Sequence, residues 1–221
     1  MNFSRIIEET EGMTRFILLR HGQSIGNSLG LYLGHTDLDL SEVGYEQAKI
    51  CADYLKDFNV DAIYSSDLQR AYNTAKPHAE FRGMDIISRS ELREIFLGEW
   101  EGAKMEDLLL KDYFVKVWKG EFGTCEVPGG ERVVDLAIRI YNELYRIACE
   151  NSGKTILVAS HGAAIRSLYA RVSGILPQNV GRELPFPTNA SISVISFNGK
   201  RFIPHIYSFD EYIQDNNMTI V

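Results

Sequence analysis

Histidine titrates near neutrality and can act as base, nucleophile or metal ligand. Two of the five histidines stand in matching contexts, because FILLRHG ends in His21-Gly22 and ILVASHG ends in His161-Gly162. Each is an apolar run that stops at a histidine, with a glycine that lets the chain turn sharply. Arginines accompany them. Arg20 directly precedes His21, and Arg70 lies in SSDLQRA, in the first turn of a helix expected to follow a strand. A cation at a helix N-terminus opposes the macrodipole. Arg70 is therefore either paired with Asp67 in solvent or held in place by a dianion between it and the helix end. With Asn27 close by in sequence, the expected ligand is phosphate.

Three chemistries could use two histidines and a carboxylate. A two-histidine, one-carboxylate metal site is opposed by Arg20, whose charge repels a divalent cation, and no HxxxH or HExxH spacing exists. A Ser-His-Asp hydrolase lacks GxSxG, and Ser160 reads as a strand residue. Gly153-Lys154-Thr155 precedes its strand, and Ala148 stands where a phosphate-binding loop needs its first glycine. Nucleophilic histidine catalysis on a phosphate ester remains.

Positioning these residues requires strands that end on a common edge. Segments 15–20 and 155–160 read as buried strands, with shorter ones at 61–64 and 86–88. A helix is expected from Ser41 to about Leu55, with Ala48, Cys51 and Leu55 on one face. Asp67 should cap a second helix that ends before Pro77. Beyond Pro128-Gly129-Gly130, residues Val133, Leu136, Ile140, Leu144 and Ile147 mark a long amphipathic helix, and another begins near Ala163. Runs 191–197 and 202–207, joined by Asn198-Gly199, form a hairpin signal. Alternating strands and helices predict a mostly parallel sheet covered on both faces. Ligands bind such sheets at the carboxyl edge, where the two imidazoles would converge if their strands were neighbours.

The 221 residues suit one α/β domain, here 15–221 after a polar N-terminal extension, 1–14. The net charge of −7 argues against nucleic acid and anionic membranes as main partners. No apolar run reaches the roughly 18 residues that span a bilayer. The first residues lack a secretory apolar core, so a cytoplasmic protein is expected. Cys51, Cys125 and Cys149 are widely spaced and are expected to be reduced, buried thiols. Nothing assigns an oligomeric state.

The segments RHGQS with Asn27, SSDLQRAYNTA, LREIFLGEWEG, VPGGE and SHGAAIR, in this order over about 15–195, resemble the histidine phosphatase superfamily. Within that phosphoglycerate-mutase-like group they lean to the bacterial broad-specificity phosphatases. The resemblance implies a three-layer α/β/α sandwich and a metal-independent phosphomonoester hydrolase that needs no cofactor and works on small phosphorylated metabolites through a phosphohistidine. It implies that His21 is the nucleophile, that Arg20, Arg70 and His161 hold the phosphoryl oxygens, and that Asn27 is a second-tier ligand. Glu94 resembles the proton donor that later activates water. The substrate-binding set becomes Arg20, Gln23, Asn27, Arg70, His161 and Gly162. Gln23 departs from the glutamate many relatives carry, which removes a negative charge beside the phosphate.

Glu91, Glu99 and Glu101 lie close to Glu94, and only the motif register selects Glu94. His35 reads as a solvated loop residue, and His78 and His205 as structural. The segment 102–128 is expected to cap the substrate. It is short, with lysines but no arginine pair, and Tyr113, Phe114, Trp118 and Phe122 either pack the core or line the pocket mouth. These features favour hydrolysis over the alternatives, a cofactor-dependent phosphoglycerate mutase or a catalytically inactive phospho-ligand-binding protein on the same fold.

Overall fold

The computed structural model describes residue 6 and residues 9–213. Part of the expected N-terminal extension therefore lies outside the described residues. The chain runs β1 (Thr14–Arg20), α1 (Glu42–Tyr54), β2 (Ala62–Ser65), α2 (Gln69–Arg82), β3 (Ile86–Ser88), α3 (Val133–Glu150), β4 (Thr155–Ser160), α4 (Gly162–Val172), β5 (Ile192–Phe197) and β6 (Phe202–Phe209), with short helical turns between. The sheet order is β3-β2-β4-β1-β5-β6. Strands β3, β2, β4 and β1 are mutually parallel, and the β5–β6 hairpin adds antiparallel to β1.

Alternation along the strands divides the core into two layers. Phe16, Leu18, Ile156 and Val158 face Leu136, Ile140 and Leu144 of α3 and Leu168 of α4. Ile17, Leu19, Leu157 and Ala159 face Cys51 of α1 and Ala71, Ala75 and Ala79 of α2. A one-residue register slip would exchange these sets. The parallel register sets Arg20 opposite Ser160, so β1 and β4 release their histidines side by side at one edge. This is the three-layer α/β/α sandwich.

Three local expectations are overturned, two of them by longer-range contacts. Asp67 does not cap α2; it forms a two-pronged ion pair with Arg93, at 2.7 and 2.5 Å. The cap comes from Asp37, whose carboxylate accepts from the Gln69 amide at 2.7 Å. Nor does α2 stop at Pro77: it continues to Arg82 and ends at Gly83 with φ of 62°. Burial of Ala75, His78 and Ala79 on either side of the proline outweighs one missing backbone bond. Cys51 and Cys125 are buried as expected, but Cys149 is exposed, on the face of α3 opposite its apolar stripe. No helix among the described residues is long and apolar enough to cross a membrane.

Candidate active site

At the end of β1 the His21 ring meets that of His161 with centroids 5.2 Å apart and planes inclined at 61°. The glycine after each histidine has a use other than a turn. Neither has positive φ. A Cβ on Gly22 would lie 2.5 Å from the Gly44 carbonyl, and one on Gly162 would lie 3.2 Å from Arg20 Nε. The glycines permit close approach.

His21 Nδ1 lies 2.7 Å from the Gly22 carbonyl. A carbonyl only accepts, so Nδ1 carries the proton and Nε2 keeps its lone pair. Burial, then Arg70 and Arg20, hold the His21 pKa well below the ordinary imidazole value, against the opposing bond to Gly22. The ring is therefore neutral at physiological pH. His161 is likewise held neutral by burial, then by Arg70 and His21. Its Nε2 lies 2.9 Å from Ser66 Oγ, while its Nδ1 is buried without a partner. Ser66 Oγ already accepts from the Leu68 amide, so we assign its proton to His161 Nε2, which leaves Nδ1–H free to donate.

Arg20 and Arg70 are both buried. Arg20 Nη1 donates to the Pro187 carbonyl and its Nε is an unpartnered buried donor. Burial lowers its pKa to about 10, which still leaves it cationic at neutrality. Arg70 donates to the carbonyls of Thr36 and Gly34 at 2.9 and 2.7 Å. Those carbonyls, and not Asp67, offset its position in the first turn of α2. Unpartnered N–H donors beside guanidinium charge suit an anion and cost free energy while empty.

Glu94 receives the amides of Ile95 and Ala164 on Oε1, at 2.9 and 3.0 Å, and that of Ala163 on Oε2, at 3.0 Å. It thus sits at the N-terminus of α4. Burial raises its pKa, and this outweighs the bonds from Ala163 and Ile95 and the nearby Arg70 and Arg20. Asn27 Oδ1 accepts from the Ser24 amide and from Asn189 Nδ2 at 3.1 and 3.2 Å, which turns the Asn27 NH₂ away from them.

Arg20, His21, Asn27, Glu94 and Gly162 line one cavity of about 400 Å³, whose apolar walls include Leu31, Met105, Trp118 and Phe186. Arg70 and His161 are buried beside it. Gln23 does not line it: its Oε1 accepts from Ser41 Oγ at 2.8 Å. Of the aromatics at 113–122, Trp118 lines the cavity, Phe114 and Phe122 are core, and Tyr113 is half exposed. Among the described residues no group of three or more His, Cys, Asp or Glu is placed to hold a metal ion.

Several residues of the site are not readable from motifs. His35 is half-buried and tied into the site: its Nε2 donates to the Glu94 carbonyl at 3.0 Å, as does Arg139 Nη2 at 3.1 Å. Asn189 Nδ2 and the Ala190 amide both bond the His21 carbonyl, at 3.2 and 3.1 Å, with Ala190 at φ of 56°. A non-glycine residue in that conformation is strained and is held by its surroundings. Glu101 accepts from the amides of Gly34, His35 and Thr36. Arg166 reaches the cavity from the second turn of α4. Its signal was the end of SHGAAIR, one helical turn beyond Gly162.

Known proteins resemble this chain in sequence and in fold. The sequence profile of the histidine phosphatase superfamily (branch 1) matches residues 16–208. Phosphoserine phosphatase 1 of Hydrogenobacter thermophilus is 34% identical over 86% of this chain and 89% of its own. A metal-independent phosphoserine phosphatase of Arabidopsis thaliana is 31% identical over 91% of this chain and 84% of its own. A mycobacterial glucosyl-3-phosphoglycerate phosphatase solved with VO3 superposes with a TM-score of 0.82 at 28% identity, over 89% of this chain and 99% of that one.

Proposed function

This chain belongs to the histidine phosphatase superfamily, and we propose that it hydrolyses small phosphomonoesters without a metal, by way of a phosphohistidine on His21. The observation that carries the proposal is the 5.2 Å approach of two neutral imidazoles between buried Arg20 and Arg70.

His21 Nε2 attacks phosphorus in line with the ester oxygen. Arg20, Arg70, the His161 Nδ1–H and the Asn27 amide donate to the non-bridging oxygens, where charge accumulates in transfer. Glu94, whose pKa burial raises, acts in its protonated form and passes its proton to the departing oxygen. The alcohol leaves and the phosphoryl group remains on Nε2. Glu94, now a carboxylate, takes a proton from water as the water attacks phosphorus, which returns His21 free, Glu94 protonated and phosphate bound. The segment 102–128 contributes Met105 and Trp118 to the cavity wall. A cytoplasmic setting fits such metabolites.

The test is release of p-nitrophenol from p-nitrophenyl phosphate in excess EDTA. Full activity is expected, with inhibition by orthovanadate and a loss on the order of 10³-fold or more in His21→Ala. Activity abolished by EDTA, or retained by His21→Ala, contradicts the proposal.

A further inference from the structure

Ala190 keeps its φ of 56° in a fully buried place beside His21. The Ser191 amide donates to the Thr188 carbonyl at 3.1 Å, which makes Ala190 the third residue of a four-residue turn. Positive φ at that place calls for glycine. An alanine there relaxes to negative φ unless the peptide groups on both sides of it are fixed, because φ and ψ are the rotations between those groups. On one side the Ala190 amide donates to the His21 carbonyl at 3.1 Å. The other side is held from outside the cavity. The Ala190 carbonyl accepts from Tyr212 Oη, and the Tyr212 ring stacks on Tyr54 of α1, with centroids 4.5 Å apart and planes inclined at 10°.

Tyr212 is one of a row of contacts. The end of β6 and the turn after it run along the loop 185–191. Tyr207 Oη donates to the Pro185 carbonyl at 2.7 Å, and Ser208 Oγ accepts from the Thr188 amide at 3.2 Å. Asp210 Oδ2 accepts from Thr188 Oγ1 at 2.8 Å. Here β6 is bulged: Ser193 stands alone between Ile192 and Val194, opposite both Tyr207 and Ser208. Bulges re-aim side chains beside active sites. Ser208 has φ of 50°, and among the described residues it and Ala190 are the only non-glycine residues at positive φ. The two strained residues lie one on each side of the same contact. Such strain persists only where surrounding structure holds it, and it clusters at functional sites. What this loop places is the phosphate cup. Its Pro187 carbonyl accepts from Arg20 Nη1, and Asn189 Nδ2 bonds both the His21 carbonyl and Asn27 Oδ1.

We infer that Tyr212 is a positioning residue for catalysis: by fixing the Ala190 carbonyl it holds the strained turn that aims Asn189 and the Ala190 amide at His21. The inference rests on the phosphatase reading above and adds to it a group that does not line the cavity.

The experiment measures kcat/KM for p-nitrophenyl phosphate and Kd for orthovanadate in the wild type, in Tyr212→Phe and in Tyr212→Phe/Ala190→Gly, at a temperature where urea curves show all three folded. Tyr212→Phe keeps the stacked ring and loses only the hydroxyl. Its kcat/KM should fall and its orthovanadate Kd should rise, each about tenfold, the weight of one residue released from the left-handed region. Glycine adopts positive φ without a clamp, so the double variant should return to within about threefold of the wild type. A hydroxyl that served stability alone would shift the urea midpoint and leave both constants of the folded protein unchanged, and that result overturns the inference. So does a loss that Ala190→Gly fails to restore. A wild type that binds orthovanadate without turnover overturns the phosphatase reading alone, and the Kd series then decides the role of Tyr212. A wild type that does neither overturns both.

Discussion

Glu94 faces opposing demands. Three backbone amides favour its carboxylate and burial favours its acid, and the balance lies toward the acid. A donor so tuned matters most when the departing oxygen is basic. Glu94→Gln should therefore slow an alkyl phosphate by about 10²- to 10³-fold and p-nitrophenyl phosphate by far less. Equal losses for the two esters would remove Glu94 from the role. The pH profile carries the same sign: alkyl-ester kcat/KM should decline as pH rises through the raised Glu94 pKa, and this limb should vanish in Glu94→Gln. His21, with its pKa lowered, should add no acid limb in the mildly acidic range. Residues of this kind were legible in sequence when they stood at a strand end or in a motif, as His21, His161 and Glu94 do. Asn189, Arg139 and Glu101 were not, because each works through a partner at least 45 residues away. Residue type alone says nothing of such a partner.

The elements explain how a cation is kept at a helix start. The loop 34–36 gives its amides to Glu101 and two of its carbonyls to Arg70, so one carboxylate orders the peptide groups that hold the guanidinium. Burial pushes the Glu101 pKa up, but the bonds from Thr36, Gly34 and His35 outweigh it and the net shift is downward. Glu101→Gln replaces an acceptor oxygen by a donor facing N–H groups. We expect KM for any phosphomonoester to rise about tenfold with a smaller fall in kcat, a split that steady-state kinetics resolves. An unchanged KM would mean that Arg70 is positioned without the loop. The same loop supplies Asp37, the cap that sequence reading assigned to Asp67. Local patterns placed the strands and the amphipathic stripe of α3, whose periodicity comes from burial itself. They failed at Asp67 and Pro77, where tertiary contacts override local preference.

At the scale of the molecule, the parallel pairing of β1 and β4 is what makes two distant histidines neighbours. The repeated strand-His-Gly pattern made that pairing legible, and the Asn198-Gly199 turn did the same for the β5–β6 hairpin. The cost of burying histidines was not legible. His78 lies fully buried with neither ring nitrogen partnered. Burial, then the charge of Arg82, lowers its pKa to about 3. The unfolded chain takes up this proton below about pH 6.5, while the folded protein refuses it until about pH 3. Stability is therefore full above that window and falls by about 1.4 kcal/mol per pH unit as pH drops through it. His78→Met should retain stability at pH 7 and lose about 2 kcal/mol less than the wild type on going to pH 5, as read by urea denaturation. An identical acid dependence in the two proteins would show that His78 titrates normally.

The most direct measurement is rapid quenching of the enzyme with ³²P-labelled substrate in alkali, followed by peptide mapping. A phosphoryl group stable to base, labile to acid and attached at residue 21 is expected, and it should be absent from His21→Ala. Label on a serine or on another histidine, or steady turnover with no labelled protein during the burst, would contradict the account.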